Sequence, residues 1–162
     1  MSTWSGMRKK LETEYLAQSL RGHIQYFVTR YPKSHDGEGR AAIRYDGKEI
    51  LQGCFLNASL KADLHPQSDR QVKCTPVGWY NDDDALKLGI FDPYCFYSAF
   101  AEFDNQSIET SLQSDDLIVR IFAILDRRVG KRRLALMKEN ISNEPETFQK
   151  FYAIRANAEG LL

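Results

Sequence analysis

The spacing of apolar and polar residues predicts one long helix in the second half of the chain. In residues 115–138, which read DDLIVRIFAILDRRVGKRRLALMK, apolar side chains recur every three to four positions. If each residue turns about 100°, five of these side chains fall within a sector of roughly 60°. They are Ile118, Phe122, Leu125, Val129 and Leu136. The segment is therefore predicted to be a central helix with one face in the core.

Gly130 is the weak point of this predicted helix, because an interior glycine costs about 1 kcal/mol relative to alanine. Two interpretations follow. Either the helix is continuous, or one helix ends at Val129 and another begins near Lys131. Ser114 and the two aspartates after it are typical of a helix N-terminus. In the continuous form the basic residues lie towards the C-terminal end, where the helix dipole favours cations.

The pattern before this helix predicts an antiparallel sheet. A first helix is expected over residues 5–20, with Ser5 as a plausible N-cap, and strands over residues 23–31, 40–45 and 48–56. The first of these strands is rich in β-branched and aromatic residues. Asp46-Gly47 is the strongest hairpin signal in the chain. Residues 57–76 read as a long connection, followed by a short strand in residues 77–80.

Helices dominate the remainder of the sequence. They are expected over residues 82–88, 93–104 and 145–158, with a short turn or helix over residues 107–113, and Asp92-Pro93 is a typical helix start. Strands followed by helices indicate an α+β fold, with a small antiparallel sheet of three or more strands packed against a helical C-terminal half. The 162 residues are predicted to form a single domain, 1–162.

Composition makes the chain globular, with 43% hydrophobic residues and zero net charge from 22 basic and 22 acidic residues. That balance argues against a generally basic nucleic-acid coat protein. The charges are nevertheless segregated. Residues 82–116 hold nine acids and one lysine, whereas residues 117–138 hold seven basic residues and one aspartate. The basic end either faces an anionic partner or is neutralised by acids such as Asp82, Asp83 and Asp84.

The cysteines and the N-terminus predict a cytoplasmic location. Cys54, Cys74 and Cys95 follow no motif, and an odd, unpatterned count is typical of a reducing compartment. The N-terminus lacks the apolar region of a signal peptide, and no apolar run is long enough to span a membrane. The three cysteines and His65 match no common zinc spacing, so neither a metal site nor a cofactor is predicted.

The basic cluster is the first candidate site. It comprises Arg127, Arg128, Lys131, Arg132 and Arg133. Arginine binds phosphate through two parallel donors, and lysine adds a point charge. Zinc-finger, Walker and aromatic RNA-binding signatures are missing from the sequence. The sequence therefore favours non-catalytic binding of an anionic partner, such as a nucleic acid, a nucleotide or an acidic protein surface.

The loop 30–40, which reads RYPKSHDGEGR, is the second candidate site. His35 beside carboxylates can act as a general acid or base, and Arg30 or Arg40 can stabilise a phosphate. The alternative function is therefore an enzyme acting on a phosphorylated substrate. A third interpretation is a structural or protein-interaction module whose basic cluster pairs internally or with a second subunit, which leaves a homo-oligomer open.

Four stretches together resemble a known group of proteins. They are Trp4-Ser5 followed by Lys9-Lys10-Leu11, the block TRYPKSHDGEGRA at residues 29–41, DGKEI at residues 46–50, and LDRRVGKRRL at residues 125–134. With them the chain resembles a family of small uncharacterised bacterial cytoplasmic proteins, over most of its length. The resemblance implies a bacterial source and a compact domain, and it assigns no activity, cofactor or site residue.

Overall fold

A computed structural model describes residues 3–30, 39–54, 74–75, 78–79 and 81–162. Within these ranges the strands are β1 Ile24–Arg30, β2 Gly39–Tyr45, β3 Lys48–Cys54, β4 Cys74–Thr75 and β5 Gly78–Trp79. The α-helices are α1 Trp4–Lys9, α2 Asp83–Leu88, α3 Pro93–Asp104, α4 Ile108–Leu112, α5 Leu117–Ile124, α6 Lys131–Met137 and α7 Glu146–Ala158. The predicted α+β fold is confirmed, since the three-stranded sheet lies in the N-terminal half and most helices follow it.

The sheet is the predicted antiparallel meander, in the order β1-β2-β3. Asp46 and Gly47 connect β2 to β3 with φ angles of 51° and 81°. Two successive residues in the left-handed region are typical of the tight turn that Asp-Gly favours, so the hairpin signal is confirmed. The small strand β5 pairs with β4, which the sequence placed in a connection. The rest of that connection, residues 57–73 and 76, lies outside the described residues.

The first helix is shorter than predicted. Thr3 caps α1, two residues before the predicted start at Ser5, because its hydroxyl accepts a hydrogen bond from the Gly6 N–H. The chain then continues through a π-helical turn, Lys10–Glu14, and a 3₁₀ turn, Gln18–Leu20. These turns carry the chain to β1 at the positions where one regular helix was expected.

The continuous helix predicted for residues 115–138 is wrong. Helix α5 ends at Ile124, five residues before the alternative break at Val129, while α6 begins at Lys131 as that alternative expected. The N-cap of α5 is Asp116, whose carboxylate accepts a 2.9 Å hydrogen bond from the Ile118 N–H. Ser114 lies two residues before this N-cap, and its hydroxyl accepts a hydrogen bond from the Asp116 N–H at 3.1 Å.

Helix α5 is buried on nearly all sides and forms the centre of the core. It packs against α3, α4 and α7. The Phe122 ring meets Tyr26 of β1 at 5.5 Å and Phe103 of α3 at 5.8 Å, both edge to face. Such aromatic pairs add to the stabilisation from buried apolar area. The three-stranded sheet, helix α3 and helix α5 therefore share one hydrophobic core. Leu136 was predicted on the core face of one continuous helix, but it is exposed. It belongs to the separate helix α6, to which the angular spacing of a continuous helix does not apply.

Candidate anion-binding site

A short antiparallel bridge fixes the start of the basic segment, residues 127–133. The N–H of Ala17 donates to the carbonyl of Leu125 at 2.9 Å, and the N–H of Arg127 donates to the carbonyl of Tyr15 at 2.7 Å. The chain thus leaves α5 by pairing with the N-terminal region, instead of continuing the helix. The cations that follow are attached to a defined backbone.

Arg155 of α7 holds the same region from below the surface, with only 3% of its area exposed. Its Nη1 donates to the carbonyls of Ile124 at 3.0 Å and Asp126 at 2.7 Å, and its Nη2 donates to the carbonyl of Val129 at 2.6 Å. Its Nε pairs with Glu159 at 3.0 Å. The last carbonyls of a helix lack partners inside the helix. Arg155 supplies donors there and fixes the turn between α5 and α6.

Asp126 and Arg128 form a second anchor. The Asp126 carboxylate is fully buried and accepts from the Arg128 N–H at 2.7 Å, from Nε at 3.0 Å and from Nη2 at 2.9 Å. The Arg128 guanidinium lies 5.2 Å from the centre of the Tyr15 ring. Burial and a hydrogen bond to Asp104 raise the pKa of Tyr15 to about 12, so this ring stays neutral. Arg128 is thus oriented by an internal ion pair and an aromatic surface.

Arg133 is also engaged internally. Its Nη2 donates to Glu109 of α4 at 3.0 Å, which links α6 to α4. Its Nη1 is buried and has no hydrogen-bond partner among the described residues. Arg133 therefore contributes less free positive charge to the surface than its sequence position suggests.

Arg127, Lys131 and Arg132 are exposed. Within the described residues, none of these three side chains forms an ion pair or hydrogen bond. We call them the free cations. The structure thus divides the predicted cluster into three exposed cations that make no salt bridge or hydrogen bond among the described residues and two arginines, Arg128 and Arg133, that are paired with acids.

The cations of α6 occupy the helix end that electrostatics disfavours. Lys131, Arg132 and Arg133 form its first turn, which contains no acidic residue. The N-terminal end of a helix carries partial positive charge, so cations there are unfavourable by about 0.3–1 kcal/mol each at exposed sites. The break after α5 has reversed the favourable placement that a continuous helix would have given. Helix stability therefore does not explain why these residues are cationic.

The acidic stretch before α5 does not neutralise the cluster in the way the sequence allowed. Asp82 accepts from the Ala85 N–H as the N-cap of α2. Asp83 pairs with Lys87 at 3.1 Å and accepts from the Thr147 N–H at 3.0 Å. One member of the acidic stretch, Glu109, pairs with the cluster. The internal pairing hypothesis therefore applies to part of the cluster, with different partners from those expected.

The second candidate site can be placed only in part. His35 lies in residues 31–38, outside the described residues, and Arg30 is the last residue of β1. Arg40 lies on β2, where its Nη1 donates to Glu49 at 2.9 Å. The hypothesis of a His35-based enzyme stays a prediction.

Arg40 belongs to a charged cluster on the sheet. Its partner Glu49 also pairs with Arg44 at 3.3 Å, and both guanidinium groups lie over Phe27, at 5.2 and 4.2 Å. The hydrogen bond from Arg40 lowers the pKa of Glu49. Arg40 therefore contributes to cross-strand stability, whatever else the neighbouring loop does.

The buried anchors of the site, Asp126 and Arg155, were not among the residues predicted for it. Both left a signal. Arg155 continues the apolar spacing of Phe148, Phe151 and Tyr152 along α7, so it falls on the buried face. A charged residue on a buried face requires partners, and the carbonyls after α5 supply them. Asp126 is the lone acid in a basic stretch.

Among the residues that the structure describes, potential metal ligands are dispersed. Cys95 is a free thiol buried in α3, where desolvation raises its pKa to about 12, and Cys54 is a free thiol at the end of β3. His65 lies outside the described residues. Across the described ranges, no group of three or more histidine, cysteine, aspartate or glutamate side chains could hold a metal ion.

Comparison with protein families places the chain. The model of the SF0329 protein family matches residues 3–156. The chain belongs to this family. Membership confirms the expected uncharacterised family over most of the length and assigns no site residue. Neither the curated proteins nor the solved structures include a match to this SF0329 chain. In the part of the chain that the structure describes, no helix is long and apolar enough to cross a membrane.

Proposed function

We propose that this SF0329 family member binds nucleic acid without catalysis, through the free cations Arg127, Lys131 and Arg132. The observation that carries the proposal is that all three are exposed and form no hydrogen bond or salt bridge among the described residues. The charge of Lys131 helps to lower the pKa of Glu159, without a direct ion pair between the two side chains. Cations that stabilised only the fold would be expected to pair with acids, as Arg128 and Arg133 do. Two of the three are arginines, whose planar donors match phosphate oxygens.

The hydrogen bonds that hold the backbone between α5 and α6 support the proposal. The bridge to residues 15–17 and the three hydrogen bonds from Arg155 hold the turn between α5 and α6. Phosphate contacts position a protein on nucleic acid and carry no sequence information. We therefore expect binding with little sequence preference, to a backbone that presents several phosphates.

Charge reversal tests the proposal. The double variant Arg127→Glu/Arg132→Glu should weaken binding to fluorescently labelled single-stranded RNA or duplex DNA at least about tenfold at low ionic strength. Fluorescence anisotropy measures this directly. The matched control is Lys48→Glu/Lys138→Glu, which makes the same change in net charge at two exposed lysines outside the free cations.

The control separates a local site from overall charge. Equal loss of affinity in both double variants would contradict a site at Arg127 and Arg132, and so would absence of binding by the unmodified protein at low salt. Tighter binding to polyglutamate than to either nucleic acid would identify an acidic protein surface as the partner and overturn the nucleic-acid proposal.

A further inference from the structure

A cleft of about 530 Å³ opens between α4, α5, α6 and the 3₁₀ turn Ile141–Asn143. Small-molecule sites are on the order of 300–1,000 Å³ and combine apolar walls with a few polar groups. The volume of this cleft lies in that range, and six of its ten lining residues are polar or charged. Its apolar lining includes Leu112, Leu136, Met137 and Ile141.

Two ion pairs supply the charged groups of the cleft. Arg133 donates to Glu109 at 3.0 Å, and Arg120 donates to Glu144 at 2.6 Å. Arg120 is held further by the Leu112 carbonyl, at 3.0 Å from its Nε, and its guanidinium lies 4.3 Å from the Phe148 ring. Arg120 is therefore committed to the fold.

Arg133 has hydrogen-bonding capacity to spare. Its Nη2 makes one bond to Glu109, whereas its Nη1 is buried and has no acceptor among the described residues. Buried polar groups are nearly always hydrogen-bonded, so an unpaired nitrogen on an arginine that lines a cleft requires an explanation. A carboxylate that contacted both terminal nitrogens would form the parallel pair of bonds that arginine favours.

Glu109 is a partner that a ligand can displace. Its side chain is 65% exposed, and exposed ion pairs are weak. Nη1 has almost no solvent-accessible surface, and Glu109 contacts Nη2 alone. A carboxylate that used both nitrogens would therefore have to replace Glu109 and be accompanied by a rotation of the guanidinium towards the cleft. Leu136, with 59% of its area exposed, lies on the same helix one turn further on and offers apolar surface next to that position.

We propose that this cleft binds a small carboxylate with an apolar body. The carboxylate takes Nη1 and Nη2 of Arg133 in place of Glu109, and the apolar part lies against Leu136, Met137 and Ile141. This site uses none of the free cations. It therefore goes beyond nucleic-acid binding and can be tested separately from it.

Two sources share this chemistry, namely a medium-chain fatty acid and an apolar amino acid. Octanoate and L-leucine represent them, and octylamine provides an apolar body without a carboxylate. The experiment is a titration of the full chain followed by ¹H–¹⁵N chemical shifts. We expect saturable shifts at cleft residues with octanoate or leucine and none with octylamine. If octanoate is the ligand, lengthening from hexanoate should tighten Kd up to about fourfold per buried methylene.

Variants at the ion pair give effects of opposite sign. Arg133→Met should weaken binding at least about tenfold, because it removes the charge-assisted pair of hydrogen bonds. Glu109→Gln should tighten binding about two- to fivefold, because it removes a competing exposed ion pair. Arg133→Lys keeps the charge and loses the fork, so it should also weaken binding if Arg133→Met does not fold.

The result also distinguishes this site from the nucleic-acid site. Arg127→Gln/Arg132→Gln should leave carboxylate binding unchanged, even if it abolishes nucleic-acid binding. The proposal is overturned if neither carboxylate binds saturably at millimolar concentration, if octylamine binds as well as octanoate, or if both Arg133 variants bind with unaltered affinity.

Discussion

Arg155 shows how one buried side chain determines the geometry of an exposed site. It is 3% exposed and donates to three carbonyls of the turn after α5. The free cations Arg127, Lys131 and Arg132 lie in or next to this turn. Their positions therefore depend on a residue that is itself buried beneath the protein surface.

Removing this arginine should destabilise the fold. We expect Arg155→Met to lower the free energy of unfolding by at least about 3 kcal/mol, because three buried carbonyls lose their donors. Urea denaturation measures the change. Lys150→Met, on the exposed side of the same helix, removes one exposed hydrogen bond to the Ile50 carbonyl and should cost no more than about 1 kcal/mol. A loss below about 1 kcal/mol for Arg155→Met would show that water satisfies these carbonyls equally well.

Asp116 makes stability depend on pH. Burial raises the pKa of its carboxyl from 3.8 to about 7, and the charge of Glu102 adds to the rise, whereas hydrogen bonds from the Ile118 N–H act in the opposite direction. A carboxyl whose pKa is raised in the folded state stabilises the fold while protonated, at low pH. This contribution is lost as pH rises through about 7.

Replacing Asp116 by asparagine should remove this dependence. Asparagine keeps the N-cap acceptor and cannot ionise. Relative to the unmodified protein, Asp116→Asn should gain about 3 kcal/mol in free energy of unfolding between about pH 5 and about pH 8. Urea denaturation across this range measures the difference. Asp115→Asn, at the exposed neighbouring residue, controls for loss of one negative charge. A pH-independent difference for Asp116→Asn would contradict the raised pKa.

At the scale of elements, the break between α5 and α6 determines where the cations point. Gly130 is the N-cap of α6, with φ −82° and ψ 168°, and no side chain caps this helix. Serine is a better N-cap than alanine by about 1 kcal/mol, whereas alanine is the better residue inside a helix. If Gly130 is an N-cap, Gly130→Ser should be more stable than Gly130→Ala. If Gly130 lies inside a continuous helix, Gly130→Ala should be the more stable variant.

Thermal or urea denaturation of two variants tests the break. We expect Gly130→Ser to be more stable than Gly130→Ala by about 1 kcal/mol. Space does not interfere with either change, since a Cβ at this position meets no atom within 4 Å. If Gly130→Ala were the more stable variant, the segment would be a continuous helix in solution and the cations would lie at its C-terminal end.

A structural feature could be predicted from the sequence where the interactions that form it are local along the chain. The hairpin at Asp46-Gly47 and the helix start at Asp92-Pro93 follow from local backbone chemistry, and both were predicted. The end of α5 follows from contacts with Tyr15 and Arg155, which are far away in the sequence. Local periodicity continues through residues 125–130, so it could not reveal a turn fixed by tertiary hydrogen bonds.

The same distinction applies to the candidate site. The cations of residues 127–133 were predicted as a group because charge composition is visible in the sequence. Their division into free and paired residues was not, because it depends on Asp126 and on Glu109 of another helix. The cleft beside Arg133 is assembled from four elements and had no counterpart in any single motif.

At the scale of the whole molecule, the zero net charge means that nucleic-acid binding cannot rest on overall electrostatic attraction. The 22 basic and 22 acidic residues balance, so overall electrostatic attraction is small and binding must come from a local concentration of positive charge. The free cations are such a concentration. Their contribution has a thermodynamic signature, because each neutralised phosphate releases counterions.

The salt dependence of duplex DNA binding tests this central claim most directly. Three phosphate contacts predict a slope of about −2.7 for log K against log salt concentration, since each contact contributes about −0.9. Arg127→Gln/Arg132→Gln should reduce the slope to about −0.9. An identical slope in the unmodified protein and in this double variant, or binding that salt does not weaken, would contradict a nucleic-acid site formed by the free cations.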